Sequence, residues 1–205
     1  MKYCQQQHNA FPNDYLNNLW GEIRACPYFA VNNLNGDFVG TKGFSLVFKR
    51  SHISVVEQKF PYFKLYLDLA LQASCNAFYL NPLQLKEGSR VDPHIDRSLR
   101  SYCKTVAPPL FVSVLYVRLP EDMQGGELVL KSEKRQLGQI KPQINTLLCF
   151  QGDLIHSVNT VKTSGHRLSL VCEQYSLSKG ELVEIPEFTV ESRTKTTNRT
   201  KKYAS

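Results

Sequence analysis

The sequence predicts a mainly β domain, built as a barrel or a double-sheet jelly roll and supported by helices near its N-terminus. Aromatic residues, mostly Phe and Tyr, make up 11% of the chain, which favours sheet packing over a helical bundle. From residue 76 onward, short apolar segments alternate with turn sequences such as Gly125-Gly126 and Gln151-Gly152-Asp153. Many short strands at this spacing are typical of closed β architectures that expose few edges. The length of 205 residues suits one domain, which we place at residues 1–191.

Two helices are predicted before the β core, in a supporting region at about 11–74. The first begins near Pro12-Asn13-Asp14 and ends at Cys26-Pro27, with apolar residues at helical spacing between these points. The second covers 56–74, where an apolar stripe of spacing three and four would lie on a sheet. A strand at 44–48 lies between the two helices and follows a loop rich in Asn and Gly.

The β core is predicted at about 76–176 and needs no further long helix. Its candidate strands are apolar segments bounded by turn residues. They are 76–80, 110–119, 127–131, 136–140, 146–150, 154–161 and 166–175.

The formal charge of +7 is concentrated at the C-terminus. Residues 192–205 contain five basic side chains and no acidic one, so residues 1–191 carry only +2. This segment lacks apolar periodicity and is predicted to be a basic, flexible tail, for which contact with a nucleic acid or an acidic carrier is the alternative. Because the near-neutral body offers no basic stripe, we do not expect the protein to bind nucleic acid.

Cysteine usage and hydropathy predict a cytoplasmic location without membrane association. The six cysteines are scattered and form no C-x-x-C pair, as expected for reduced thiols in apolar surroundings. No apolar run reaches the roughly 18 residues that span a bilayer. The N-terminal sequence MKYCQQQHNAF contains no hydrophobic signal region.

The segment VDPHID at 91–96 is the first candidate for metal binding. His94 and Asp96 are two positions apart, and in an extended segment such side chains point to the same face. An imidazole nitrogen and a carboxylate oxygen could then bind one ion. A surface His and Asp in a Pro-containing turn is the alternative.

His156 is the candidate third ligand. It follows the turn at 151–153 and lies near the start of a predicted strand, where a barrel would have its mouth. A histidine of the core or of the surface is the alternative. Two imidazoles and one carboxylate form the facial triad typical of non-haem Fe(II) oxygenases, although zinc accepts the same ligands.

Arg167, eleven residues after His156 in the sequence GHRLSL, adds a fourth element to the pattern. With these residues the sequence resembles the 2-oxoglutarate- and Fe(II)-dependent oxygenases, in particular the prolyl 4-hydroxylase-like group, over about 76–175. The resemblance implies a double-stranded β-helix core, of the jelly-roll or cupin-like type.

The resemblance also implies the roles of the site residues. His94, Asp96 and His156 would hold Fe(II), and Arg167 would bind the distal carboxylate of 2-oxoglutarate. O2 would be the second cosubstrate, with ascorbate as an optional reductant. The planar fork of an arginine suits a carboxylate because it can donate two parallel hydrogen bonds while remaining charged. A structural salt bridge is the alternative for Arg167.

Two further residues are candidates for cosubstrate binding. Tyr79 precedes the H-x-D motif by the distance at which the family often has a cosubstrate tyrosine, so it is predicted to donate its hydroxyl to 2-oxoglutarate; a packed core tyrosine is the alternative. Ser169, on the same strand face as Arg167, is predicted to add a hydroxyl donor. His166 is expected to face away from Arg167.

The segment 97–109 is a candidate substrate lid, because loops beside a site often carry specificity. Arg97, Arg100 and Tyr102 are its candidate substrate-contacting residues. A solvated loop without such a role is the alternative.

The resemblance implies a hydroxylase that acts on a C–H bond of an amino-acid or peptidyl side chain, with prolyl among the candidates, and releases succinate and CO2. The expected partner is therefore an amino acid, a peptide or a protein. Retention of the carboxylate at Asp96 favours hydroxylation, because related halogenases have a small residue there. The alternatives are a metalloenzyme on a cupin-like barrel that does not use 2-oxoglutarate and a non-enzymatic β-barrel metal-binding module.

Overall fold

Strands account for 40% of the residues that the structure describes and helices for 23%, as the fold-class prediction requires. The structure, a computed structural model, describes residues 3–31, 34, 36–133 and 135–193. The predicted basic tail at 192–205 lies outside this part of the chain from residue 194 onward.

The strands follow one another closely along the chain. They are β1 (Cys4–His8), β2 (Ala30–Val31), β3 (Phe38–Val39), β4 (Lys42–Gly43), β5 (Ser45–Lys49), β6 (Ala77–Lys86), β7 (Arg90–His94), β8 (Phe111–Arg118), β9 (Leu128–Ser132), β10 (Arg135–Ile140), β11 (Thr146–Gln151), β12 (Ile155–Val158), β13 (His166–Tyr175) and β14 (Phe188–Glu191). The α-helices are α1 (Asn13–Ala25), α2 (Ile53–Lys59), α3 (Lys64–Ala70) and α4 (Lys179–Glu184). Short 3-10 turns lie at Arg50–His52, Pro61–Phe63 and Ser98–Ser101.

Within the described residues the strands form two antiparallel sheets. The larger has the order β1-β11-β8-β13-β6-β4-β2, with β5 also paired to β6 and β14 to β5. The smaller has the order β10-β9-β12-β7-β3. Val112, Val114 and Tyr116 of β8 pack with Leu128 and Leu130 of β9, so one face of the larger sheet meets the smaller sheet. This arrangement is consistent with the predicted double-stranded β-helix.

Helices α1, α2 and α3 cover the opposite face of the larger sheet. Leu19 and Ile23 of α1 belong to the same buried cluster as Leu115 of β8 and Leu170 of β13. Residues of β8 therefore alternate between the two faces, as the period of a strand requires. Because α1, α2 and α3 lie on the outer face, the inner face of β8 is left for side chains between the sheets.

The continuous helix predicted at 56–74 is wrong, because α2 and α3 are separate helices joined by the 3-10 turn at Pro61–Phe63. Pro61 has no backbone N–H, and its ring disfavours the helical conformation at the preceding residue. Phe60 accordingly has φ −135° and ψ 67°. The apolar stripe still packs on the sheet, since Phe63 and Leu67 are buried in the helix-facing cluster.

Other differences from the sequence prediction lie at strand ends and sheet edges. The first core strand continues to Lys86, whereas the strand predicted at 154–161 covers only Ile155–Val158. Both β1, which pairs with β11, and β14, which pairs with β5, lie outside the predicted strands. The last core strand has the predicted bounds, and α1 begins and ends where the sequence indicates.

None of the helices described is both long enough and apolar enough to cross a membrane.

Candidate metal centre

His94, Asp96 and His156 lie together at the end of the smaller sheet. His94 is the last residue of β7 and is the direct register partner of His156 on the antiparallel strand β12. Asp96 follows two residues later. One ligand atom from each of the three side chains lies within 4.8 Å of the others, a spacing that could hold a metal ion.

A bulge in β7 brings His94 to the inner face. The register pairs Val91 with Val158 and His94 with His156, so β7 has one more residue than β12 over this stretch. In a regular strand, positions 91 and 94 would face opposite sides of the sheet. The extra residue in the Asp92-Pro93 region restores the alignment, and both Val91 and His94 line the same cavity.

The two imidazoles present equivalent nitrogens to Asp96. Nδ1 of His94 lies 2.8 Å from the backbone oxygen of Asp92, and Nδ1 of His156 lies 3.1 Å from that of Leu154. A carbonyl oxygen only accepts, so Nδ1 carries the hydrogen in both rings. In the neutral rings the lone pair is therefore on Nε2, which lies 3.2 Å from Oδ1 of Asp96 in His94 and 3.3 Å from Oδ2 in His156.

The carboxylate of Asp96 fits a cation-binding role. Its side chain is buried, and Oδ2 has no hydrogen-bond partner among the described residues. Burial alone would raise the pKa of Asp96, but the charges and hydrogen bonds of His156 and His94 outweigh it and hold the pKa below its usual range. The acid is therefore ionised. When both imidazoles are neutral, their Nε2 lone pairs and this carboxylate form a donor set that suits Fe(II) or zinc.

The three side chains line a cavity between the sheets that also contains Arg167. The cavity wall is mainly apolar, with few polar groups. It comprises Phe38, Leu83, Val91, His94, Asp96, Val112, Val114, Tyr116, Leu128, Phe150, His156, Val158, Arg167, Ser169 and Val171. Arg167, Ser169 and Val171 alternate along β13 and so share its inner face.

Arg167 is a buried cation without a counter-ion among the described residues. Its side chain is 2% exposed, Nε and Nη1 have no hydrogen-bond partner, and it makes no ion pair with any residue the structure describes. Burial lowers the pKa of Arg167, although Tyr116 partly offsets this effect. An unpaired buried charge is costly, so the arrangement suits an anionic ligand better than a structural salt bridge.

Two hydroxyl groups in the same cavity are also without partners. Oγ of Ser169, a predicted cosubstrate residue, and the hydroxyl of Tyr116 are buried and have no hydrogen-bond partner in the described chain. Together with Arg167 they offer several N–H and O–H donors to one ligand. Tyr116 was not among the residues predicted from the sequence, although the alternation of positions 112, 114 and 116 along β8 places it on the inner face.

The structure does not bring Tyr79 into this cavity. Its hydroxyl donates to Oε2 of Glu191 at 3.2 Å, and its ring packs with Val47, Leu99 and Tyr175 in a separate cluster. Tyr79 is therefore a packed core tyrosine, which was the alternative given for it from the sequence. His166 is exposed whereas Arg167 is buried, so the two side chains face opposite sides of β13 as expected.

The candidate lid at 97–109 is a packed segment. Leu99 and Val106 are fully buried. Arg100 donates from Nε to the backbone oxygen of Val106 at 2.8 Å, and the Tyr102 hydroxyl donates to Oε1 of Glu191 at 2.5 Å. Of the three candidate substrate residues, Arg97 is the exposed one.

Comparisons with known proteins agree with this geometry. Residues 79–172 match the family model of the 2OG-Fe(II) oxygenase superfamily. None of the curated proteins matches the chain in sequence.

Several solved structures share the fold at low sequence identity. A prolyl-4-hydroxylase from Pseudomonas putida matches with a TM-score of 0.56 at 18% identity, covering 85% of this chain and 93% of its own. A prolyl hydroxylase from Trichoplax adhaerens, in complex with a hypoxia inducible factor peptide fragment, matches with a TM-score of 0.56 at 12% identity and coverages of 88% and 86%. A viral collagen prolyl hydroxylase from Paramecium Bursaria Chlorella virus-1, in complex with 2OG, matches with a TM-score of 0.54 at 15% identity and coverages of 86% and 97%. The predicted resemblance and fold class are confirmed.

Proposed function

We propose that this chain, an oxidoreductase of the 2OG-Fe(II) oxygenase superfamily, hydroxylates a C–H bond of an amino-acid or peptidyl side chain. The observation that carries the proposal is the juxtaposition, in one cavity, of a His-Asp-His cluster and a buried arginine without a counter-ion. The first suits a divalent metal and the second suits the distal carboxylate of a dicarboxylate.

His94, Asp96 and His156 would hold Fe(II) through Nε2 of each imidazole and a carboxylate oxygen. Arg167 would bind the distal carboxylate of 2-oxoglutarate, with the hydroxyls of Ser169 and Tyr116 as additional donors. When bound, the metal and cosubstrate supply the oxidative chemistry: O2 and 2-oxoglutarate are consumed, succinate and CO2 are released, and one oxygen atom becomes the hydroxyl of the product. Ascorbate would be needed only to keep the iron reduced.

The protein contributes orientation and exclusion of water. Leu128, Phe150 and Val158 surround the polar groups with apolar surface, so a bound carboxylate would meet the Arg167 charge in a medium that strengthens the interaction. The hydrogen bonds from Nδ1 of the two histidines to backbone oxygens fix the ring orientations before a metal binds.

A peptide, protein or free amino acid is the proposed substrate, with prolyl side chains as the first to test. Support comes from the Trichoplax adhaerens relative, whose structure contains a peptide. Arg97 is the residue of segment 97–109 that we retain as a substrate contact, since it adjoins Asp96 and is exposed. We further propose a reducing compartment, the cytoplasm, because all six cysteines are free.

The unpaired Arg167 argues against the alternatives. A cupin-like metalloenzyme that does not use 2-oxoglutarate, or a metal-binding module without activity, would gain nothing from a buried cation in the same apolar cavity as the metal cluster.

Anaerobic addition of Fe(II) and 2-oxoglutarate tests the proposal. We expect a visible charge-transfer band from the chelated cosubstrate and, after admission of O2 and a screen of peptides and amino acids, substrate-dependent release of succinate. His156→Ala should abolish the band. His166→Ala, on the exposed side of β13, is the matched control and should retain it. Correctly folded wild-type protein that shows no band would contradict the proposal.

A further inference from the structure

Glu173 is a buried carboxylate outside the proposed set of metal and cosubstrate ligands. It lies on β13, six residues after Arg167, and therefore on the same face as Arg167 and Ser169. Glu173 is 3% exposed, and it forms no ion pair with any described cation.

All the partners of Glu173 are hydrogen-bond donors. Ser98 donates from its backbone nitrogen to Oε2 at 3.1 Å and from Oγ to Oε1 at 2.5 Å. The hydroxyl of Tyr175 also donates to Oε2. Burial, reinforced by the negative charge of Asp96, raises the pKa of Glu173 to about 8. Placing a carboxylate here therefore carries an electrostatic cost, and such costs are concentrated at functional sites.

The contacts of Glu173 fix the chain immediately after the metal cluster. Ser98 begins the 3-10 turn Ser98–Ser101, two residues after Asp96. On the other side of Asp96, His94 is held by the pairing of β7 with β12. Asp96 thus lies in a short connection that is anchored at both ends, by a strand pair before it and by Glu173 after it.

We propose that Glu173 is a positioning residue for the metal centre, which acts through Ser98 to keep the Asp96 carboxylate directed at the two histidines. This inference rests on the proposed function. Glu173 contacts neither the metal nor the cosubstrate in this role; it restrains the backbone that carries one ligand. Loss of comparable supporting contacts around metal ligands costs about 10- to 100-fold in metal affinity.

The chemistry of the contacts explains why a carboxylate is needed. Two carboxyl oxygen atoms accept from a backbone N–H and two hydroxyls, and both can do so whether the group is ionised or carries one proton. A glutamine keeps only one oxygen, so its NH2 group meets a hydroxyl favourably only if that hydroxyl turns to accept. Glu173→Gln therefore preserves the volume of the side chain but cannot reproduce the set of contacts.

The test uses Co(II) as a spectroscopic probe of the metal site. Its binding is measured in wild type, Glu173→Gln and Ser98→Ala. We expect both variants to fold but to bind Co(II) more weakly than wild type, by about 10- to 100-fold in Glu173→Gln and less in Ser98→Ala, which keeps the backbone N–H donor. The ligand-field absorption spectrum of bound Co(II) should also change, which a loss of stability alone would not cause. Calorimetric titration gives the affinity.

Glu191→Gln is the matched control. Glu191 also accepts hydrogen bonds from two hydroxyls, those of Tyr79 and Tyr102, but has no contact with Ser98. It should bind Co(II) with wild-type affinity and spectrum. If Glu173→Gln fails to fold, Ser98→Ala measures the same contact.

The outcomes test the role of Glu173 and the proposed function separately. Wild-type affinity and spectrum in both Glu173→Gln and Ser98→Ala would overturn the inference while leaving the proposed function intact. Binding by wild type that is lost in His156→Ala supports the metal centre whatever Glu173 does. Failure of the folded wild-type protein to bind Co(II) would overturn the proposed function itself.

Discussion

The guanidinium carbon of Arg167 lies 5.2 Å from the centre of the Tyr116 ring. The two residues come from the adjacent strands β13 and β8, and both line the cavity that contains the His-Asp-His cluster. A cation over an aromatic face gains about 0.5–2 kcal/mol, depending on its desolvation. Tyr116 therefore supports the charge of Arg167, while Nε and Nη1 keep no hydrogen-bond partner among the described residues and can donate to a ligand.

Arg167→Met should separate ligand binding from stability. Removing a buried, unpaired charge in favour of an apolar side chain of similar length should leave the free energy of unfolding unchanged or increased. The affinity for 2-oxoglutarate should fall by about 30-fold or more, corresponding to a loss of about 2 kcal/mol or more for a charge-assisted contact. Urea denaturation and calorimetric titration of the metal-loaded protein measure the two quantities. Arg118→Met, at the exposed end of β8, is the control and should bind 2-oxoglutarate as wild type does.

Tyrosine-to-phenylalanine substitutions should distinguish Tyr116 from Tyr79 as the cosubstrate donor. Tyr116→Phe removes a hydroxyl that has no hydrogen-bond partner in the described part of the chain, so we expect an unchanged stability and a 2-oxoglutarate affinity lowered by roughly 1 kcal/mol, or about fivefold. Tyr79→Phe, whose hydroxyl donates to Glu191, should leave that affinity unchanged.

Tyr66→Phe is a control that should change stability but not cosubstrate binding. It removes a buried hydrogen bond to Ser113 on the helix side of the larger sheet and should cost about 1 kcal/mol of stability without an effect on cosubstrate binding. A large loss of 2-oxoglutarate binding in Tyr79→Phe and none in Tyr116→Phe would restore the assignment made from the sequence.

Ionisation of Glu173 should contribute to the pH dependence of the free energy of unfolding. Its pKa is raised from 4.5 to about 8 by burial and by the charge of Asp96, so the folded protein binds more protons than the unfolded chain between these values. The contribution of Glu173 to stability is therefore present below about pH 4.5 and is lost as the pH rises towards about 8. Urea unfolding of the metal-free protein at pH 5.5 and pH 8 should show a smaller decrease in Glu173→Gln than in wild type. An equal decrease in the two proteins would contradict this prediction.

Gly152→Ala should destabilise the protein because of a backbone contact. A Cβ atom at Gly152 would lie 2.1 Å from the backbone oxygen of Pro109, at the turn that leads into β12. Neither group is a flexible side-chain end, so the backbone would have to move, at a cost of about 1–3 kcal/mol. Gly180→Ala is the control: no atom lies within 4 Å of its Cβ position in α4, and stability should rise by up to about 1 kcal/mol. Thermal and urea unfolding of both variants would measure the difference.

The candidate ligands could be identified from the sequence because their chemistry and spacing are unusual together. His94, Asp96, His156 and Arg167 lie in one cavity, as the motif predicts. The positions of Tyr79 and Tyr116 relative to the cavity could not be predicted in the same way. Periodicity indicates that both face inward from their strands, but the depth of each along the barrel depends on the register between strands that are distant in sequence.

Other features depended on long-range contacts that leave no local pattern. The strand at Cys4–His8 has the sequence CQQQH, which lacks apolar alternation and becomes a strand because it pairs with β11. Glu173 lies in the apolar sequence LVCEQYS, and nothing in that sequence indicates that Ser98 would supply donors to a buried carboxylate. By contrast, the break at Pro61 was available from the sequence, because a proline disfavours the helical conformation of the residue before it.

Because of the bulge in β7, the metal cluster depends on the number of residues between Val91 and His94 as well as on the identity of its ligands. Both Val91 and His94 face the cavity only because β7 has one residue more than its partner strand between them. A deletion of one residue at 92–93 would rotate His94 to the opposite face of the sheet while leaving every proposed ligand in the chain. A relative could therefore keep the whole H-x-D and distal histidine motif and still not bind a metal. A shorter spacing between the positions of Val91 and His94 would identify such a protein.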